Sequence, residues 1–276
     1  MLGTVLSRRG NASRTETLWN EGVVVRMREW PHDPTTAFLT LQGAHDAEVA
    51  MPNHRVISSW LDRIRDLGYA HVRTSAVSSV ARRAFEAHGF TMSQELTLLA
   101  ATPRDTDPLT ARAATTNGAI SIDGWSLTRL RVRRAEHRCV LHVDESAFGR
   151  QWSLDHAGLR DAFHATPRAR IFTTRSRLID GNNIDGYVVA GATSSGQNNI
   201  GFIQRLAVHA AVQQNGLGKL LLRRALQWLS TQGCGTVYVN TEQTNDVALS
   251  LYRNHGFRTL PHELSVLECK MTASNS

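Results

Sequence analysis

Gln213, Gly216 and Gly218, spaced Gln213-x-x-Gly216-x-Gly218, are the first residues whose types and spacing point to chemistry. Before them the chain is apolar and strand-like from Ile203 to Val208. After them Leu220, Leu221, Leu222, Ala225, Leu226 and Trp228 fall at helical spacing. A strand, a glycine turn and a helix start make an anion cradle. The first backbone N–H groups of a helix have no partner within it and carry partial positive charge. Glycine lets that backbone come close to an anion, with no Cβ in the way. Gln213, Gln214, Asn215, Gly216, Leu217, Gly218 and Lys219 therefore offer a row of donors suited to phosphate.

Other chemistries are less well supplied. The three cysteines, Cys139, Cys234 and Cys269, are far apart and odd in number. They fit neither a disulfide framework nor a zinc site, so no metal is expected, and a reducing cytoplasm is the expected compartment. No apolar run approaches the ~20 residues that span a bilayer. The N-terminus lacks a basic region followed by an apolar core, so no leader is expected. The net charge is +7, carried almost wholly by arginine; Lys219 and Lys270 are the only lysines. Such charge attracts nucleotides, nucleic acid or acidic proteins, or it is a generally basic surface. The one dense cluster, Arg129 to Arg134, alternates with Leu130 and Val132 and reads as the solvated side of a strand, which makes a nucleic-acid partner a poor expectation.

The elements that position the turn follow from periodicity. Residues 1–17 are polar, without a period, and no regular structure is expected there. Strands are expected over 22–30, 36–42, 69–77 and 90–100, with helices over 56–67 and 78–88 ended by Gly68 and Gly89. Residues 102–124 are polar, contain two prolines and read as a linker. Beyond it the expected order is strand 125–132, helices 135–147 and 154–164, and strands 169–174, 186–193 and 203–208. The Gly216 helix comes next, then strand 236–240, helix 245–255 and strand 264–271. The domain division implied is 1–101, a linker over 102–124, and 125–276.

An internal repeat links the halves. Gly68 to Phe90 lies on Gly235 to Phe257 without a gap, and eight of the 23 pairs are identical, including the closing His-Gly-Phe. Under this offset Tyr252 corresponds to Phe85 and Asn245 to Ser78. Gln213, Gly216 and Gly218 correspond to Asp46, Val49 and Met51, so the phosphate turn is absent from the first copy.

Leu206-Ala207-Val208-His209, the Gln213-x-x-Gly216-x-Gly218 turn, and Asn245-x-x-Ala248-x-x-x-Tyr252-x-x-x-Gly256-Phe257 together resemble the GNAT superfamily of acyl-CoA-dependent N-acetyltransferases. The resemblance covers 125–271 and extends through the repeat to about 20–100. It implies an α/β fold of two GNAT-like domains, the first degenerate, each a mixed, mostly antiparallel sheet flanked by helices. It implies acetyl-CoA as co-substrate. The pyrophosphate would lie on the Gln213–Lys219 turn, and the pantetheine arm would pair with Leu206, Ala207 and Val208 where that strand splays from its neighbour. Asn245 caps its helix or reaches the cofactor. Tyr252 is either a core aromatic or the acid that protonates the leaving thiolate, a phenol of pKa about 10 serving a thiol of about 8.5.

The base is less determined, because the strand before the turn holds no acid. Glu242 is the first candidate and His209 the second, with a water relay as the alternative. Trp152 and Asp155 are candidates to line the acceptor pocket, Asp155 by attracting a cationic amine; alternatively Ser153 caps a helix over Trp152. The expected reaction is acetyl transfer to a primary amine, of a small molecule or a protein α-amino group, by a monomer with pseudo-dimeric halves or a homodimer. The rival is a non-catalytic acyl-CoA sensor or assembly module.

Overall fold

The computed structural model describes residues 3–7, 15–20, 23–41, 52–103, 120–122, 125–129, 134–176, 184–195 and 198–271. In chain order the first elements are β1 (Gly3–Ser7), β2 (Thr15–Asn20), β3 (Val23–Trp30), β4 (Asp33–Leu41), α1 (His54–Asp66), β5 (His71–Thr74), β6 (Val77–Ser78), α2 (Ser79–Glu86) and β7 (Thr91–Ala101). Then come β8 (Ile120–Ile122), β9 (Trp125–Arg129), α3 (Arg134–Phe148), α4 (His156–His164), β10 (Arg168–Ser176), β11 (Ile184–Ser195) and β12 (Asn198–Val208). The last are α5 (Leu217–Thr231), β13 (Cys234–Glu242), α6 (Asp246–Arg253) and β14 (Arg258–Lys270). The fold is mixed α/β, with mostly antiparallel sheet flanked by helices, as expected.

Two compact units do not follow chain order. One takes 1–98, 240–245 and 260–276; the other takes 99–239 and 246–259. In the first unit the strands run β1-β2-β3-β4-β5-β14-β7. Two β strands therefore occupy part of residues 1–17, where no regular structure was expected. Pairing of β1 with β2, Gly3↔Trp19 through Ser7↔Thr15, and of β2 with β3, Thr15↔Arg28 through Asn20↔Val23, supplies order that local periodicity does not. Leu18 points into the core, and Glu16, fully buried, takes two bonds from Arg63 (3.1 and 3.0 Å). The period of α1 buries Val56, Ile57, Trp60, Leu61 and Ile64 against Val25, Met27, Leu39 and Val72. Asn53 caps α1, and Ser78 caps α2 by accepting from Ala81 N. The pair β4/β5 is parallel, joined through α1.

In the second unit the order is β13-β12-β11-β10-β9-β8. Residues 120–122 of the expected linker form a strand against β9; residues 104–119 and 123–124 of it, and 130–133 of the arginine cluster, lie outside the described residues. Asp46, Val49 and Met51 also lie outside them. The pair β12/β13 is parallel, joined through α5. One face of the sheet packs Val188, Ala190, Ile203 and Val208 against Leu217, Leu221, Ala225 and Leu229 of α5. The opposite face packs Val189 and Ala207 against Val140, Val143 and Leu159 of α3 and α4.

Candidate active site

The geometry of the second unit begins with a strand that loses its neighbour. β12 and β13 are paired from Asn199↔Cys234 to Phe202↔Tyr238, and no further. Beyond that point Leu206, Ala207 and Val208 pair with β11 alone, through Val188, Tyr187 and Gly186. The register with β11 slips between Val189↔Arg205 and Ala190↔Ile203, so Gln204 is the extra residue of a bulge. Bulges bend a strand and raise its twist. The bend begins within two residues of where the β13 pairing stops. The expected splay and the expected open edge at Leu206–Val208 are both in the geometry of these strands.

The turn after β12 is shaped by its own side chains. His209 caps a short 3-10 turn over Ala210–Val212. Gln213 Nε2 donates to Val208 O (3.1 Å), and Asn215 Nδ2 donates to Val212 O and Gln213 O (3.2 and 3.3 Å). Gln214 and Gly216 sit at φ +66° and +78°, in the left-handed region. The helix then opens at Leu217 with Gly216 as its cap and no side-chain bond to it, and Leu220 N is bonded to Gly216 O (3.0 Å). The amides of Leu217, Gly218 and Lys219 thus form the unbonded first turn that an anion would use. A Cβ at Gly218 would meet Leu251 Cδ2 at 3.5 Å and Leu206 and Val208 at 4.0 Å, so α6, β12 and the start of α5 converge there.

Tyr252 lies on α6 in the core of this unit, 5% exposed, with its ring 5.6 Å from that of Phe257. Burial pushes its phenol up to about 12, and the Arg205 charge opposes that shift. The phenol therefore keeps its proton at neutral and mildly alkaline pH. Asn245 directly precedes α6 and belongs, with Glu242, to the first unit; Asn245 N donates to Glu242 O (3.1 Å). Glu242 is exposed, and its Oε1 accepts from Gln94 Nε2. His209 Nδ1 accepts from Ala211 N (3.3 Å), which gives this ring a structural task.

Three residues that sequence reasoning passed over dominate the opposite face. Asp144, fully buried on α3, accepts two bonds from Arg205 (Nε 2.8, Nη2 2.9 Å), one from Leu154 N (2.7 Å) and one from the Tyr187 hydroxyl. Arg205 Nη2 also donates to Trp152 O (2.9 Å), and its guanidinium lies 3.6 Å from the Phe148 ring centroid. Burial, then the Asp144 charge, pushes the Tyr187 phenol well up. Burial is the largest influence on the Arg205 cation and opposes it, but its bonds to Asp144 together with the Tyr187 and Asp144 charges outweigh this and the pKa is raised. The network ties the segment carrying Trp152 and Leu154 to β12. Asp155 is the N-cap of α4, accepting from Gly158 N (2.6 Å), while Ser153, the cap weighed from sequence, donates instead to Arg150 O (3.1 Å). The available signal was Asp144 itself, one carboxylate on a helix face otherwise lined by Val140 and Val143.

Comparison with known proteins bears on this geometry directly. Residues 138–257, from within α3 to just past α6, match the acetyltransferase (GNAT) family. The chain carries a GNAT acetyltransferase domain. Human N-alpha-acetyltransferase 30 is 40% identical over 57 residues, 21% of this chain and only 16% of that protein. The [ribosomal protein bS18]-alanine N-acetyltransferase of Escherichia coli K12 is 26% identical over 115 residues, 38% of this chain and 78% of that one. Among solved structures, a tandem GNAT protein from the clavulanic acid biosynthesis pathway aligns with TM-score 0.61 and 14% identity, over 96% of this chain and 84% of that one. A GCN5-related N-acetyltransferase from Kribbella flavida aligns with TM-score 0.55 and 14% identity, over 97% and 91%. At these identities the structural likenesses speak for the GNAT fold. Proteins of this family typically use acetyl-CoA, and the open β12 edge beside an uncapped α5 start fits its amides and phosphates. Among the described residues no cluster of His, Cys, Asp or Glu is arranged to hold a metal, and no helix is long and apolar enough to cross a membrane.

Proposed function

We propose that the protein moves an acetyl group from acetyl-CoA to a primary amine by direct attack in a ternary complex. The observation that carries this is the open β12 edge leading straight into the unbonded first turn of α5. In this proposal the amides of Gly216, Leu217, Gly218 and Lys219 hold the pyrophosphate, and the backbone of Leu206–Val208 pairs with the pantetheine amides. Tyr252 donates a proton to the departing thiolate as the C–S bond breaks and the C–N bond forms. The desolvation that raises the phenol acts in the same direction on a thiol in the same pocket. A water relay is the proposed receiver of the amine proton; Asp144 is unsuited, because its oxygens are already taken by Arg205, Tyr187 and Leu154.

Trp152 and Asp155 are proposed to border the acceptor, held there by the Arg205–Asp144 pair and the α4 cap. A protein or peptide α-amino group is the favoured acceptor, since the relatives named above carry names of N-terminal and alanine N-acetyltransferases. The first unit is proposed to be a GNAT-like half without chemistry of its own, in a cytoplasmic protein. One observation favours the sensor reading: Arg205 stands on the strand where an acid would help deprotonate an amine.

The test is CoA release from acetyl-CoA with a panel of short peptides and small amines, beside acetyl-CoA binding. Gly216→Val, which forces a branched side chain to φ +78°, is expected to weaken acetyl-CoA binding at least tenfold. Unchanged binding would sink the phosphate-turn assignment. Tight binding without amine-dependent release from any acceptor would favour the sensor.

A further inference from the structure

Away from the acetyl-transfer centre, the second unit holds a cavity of about 360 Å³ between the end of α4, the start of β10 and the last turns of α5. Thr166, Pro167, Arg168, Arg170, Trp228 and Gln232 are among its walls. Trp228 lies eleven residues along α5 from Leu217, roughly 16 Å at ~1.5 Å per residue, so this is not the acetyl-CoA turn.

Its chemistry is unbalanced. Arg168 Nη2 is buried and meets no acceptor, and no acidic side chain stands among the described walls. A buried guanidinium nitrogen without an acceptor is uncommon and marks a missing partner. Arg170 is otherwise employed, donating to Ala169 O (3.0 Å) and lying over the Trp228 ring (5.8 Å). Pro167, Phe163 and the Trp228 ring supply apolar wall.

The cavity is also rigidly built. Thr166 Oγ1 donates to Arg168 O (3.0 Å) and accepts from Gln204 Nε2 (3.3 Å), which ties the wall to the β12 bulge. Gly191 makes room for this, since a Cβ there would stand 2.2 Å from Thr166 Oγ1 and 2.4 Å from Gln204 Nε2.

We propose that this cavity binds the carboxylate of a small organic molecule, with Arg168 as the anion-binding side chain and Trp228 and Pro167 against the apolar body. A planar guanidinium fork suits a carboxylate's two oxygens. Phosphate is the less suited anion, because the C-terminal ends of α4 and α5 both border the cavity and their partial negative charge opposes a dianion more than a single carboxylate. The size falls in the range of small-molecule sites, about 300–1,000 Å³.

Calorimetric titration of the full chain, saturated with acetyl-CoA, with sodium benzoate and separately with inorganic phosphate tests this. Expected is saturable benzoate binding at one site, weakened at least tenfold by Arg168→Gln and several-fold by Arg168→Lys, and no binding of phosphate. Acetyl-CoA affinity, unchanged in both variants, shows that they fold; if Arg168→Gln does not, Arg168→Lys carries the test, since it keeps the charge and removes the fork. Absence of benzoate binding, equal affinity in wild type and variants, or tighter binding of phosphate would each overturn the assignment.

Discussion

The turn around α2 and the turn around α6 are built alike down to single hydrogen bonds. His88 Nδ1 meets Ala84 O at 2.8 Å, and His255 Nδ1 meets Leu251 O at 2.7 Å. Phe90 N donates to Phe85 O (3.3 Å), and Phe257 N donates to Tyr252 O (3.1 Å). Gly89 and Gly256 end the helices at φ +79° and +82°. The ring pairs Phe85–Phe90 and Tyr252–Phe257 lie 4.9 and 5.6 Å apart. What differs is one hydroxyl, on Tyr252 and not on Phe85. The comparison teaches that the His-Gly-Phe ending and the buried ring make a folding device, present in both units, and that the phenol is an addition to it.

The largest test makes the second turn like the first. Tyr252→Phe should leave the fold intact, because Phe85 shows that the same setting accepts a phenyl ring. Amine-dependent CoA release should fall about 10²- to 10⁴-fold, the range lost with a general acid. An unchanged rate would return Tyr252 to the core-aromatic role. Next, Asp144→Ala leaves the Arg205 cation without its partner and should cost about 3–5 kcal/mol in urea unfolding. Its counterpart in the first unit is Glu16→Ala, which strips Arg63 in the same way. Equal costs would mean that both units lean equally on a buried ion pair.

The third test uses pH. Tyr252 titrates near 10 unfolded and at about 12 folded, so the fold favours its neutral form. That contribution is complete below pH 10 and is lost as pH rises towards 12, amounting to about 3 kcal/mol at most. Chemical denaturation across this window should show a shallower loss for Tyr252→Phe than for wild type, with Tyr187 accounting for part of what remains. The smallest effect comes from Phe85→Tyr, which adds a hydroxyl to a fully buried ring beside Trp60 and Phe90. It should destabilise by about 1–3 kcal/mol, the cost of an unpaired buried polar group, and add no activity. Gained activity would mean that the first unit retains a hidden centre.

How much of this was legible in the sequence depended on range. The strand, turn and helix from Ile203 to Trp228 are set by residues within a few positions of one another, as are the Ser78 cap and the glycine ends. Each was readable. β1 and β2 were not, because their residues become strand residues only when a neighbour pairs with them, β3 with β2 and β2 with β1. The Asp144–Arg205 pair spans 61 positions, and only the acid's placement on an apolar helix face hinted at it. The cap of α4 was missed by two residues, Asp155 for Ser153, since either side chain suits an N-cap and the backbone decides.

The placement of β14 has a consequence for how the chain is born. Its Glu268 pairs with Arg73, 195 residues earlier, and the strand fills the space between β5 and β7 in the first unit. At about 5–20 residues per second, a ribosome needs roughly 10–40 seconds to make what lies between. For that time the first unit has an open slot, with the edges of β5 and β7 unpaired and ready to accept a strand from another nascent chain. The unit made first is therefore completed last, and its safety during synthesis rests on a segment that belongs by sequence to the other half.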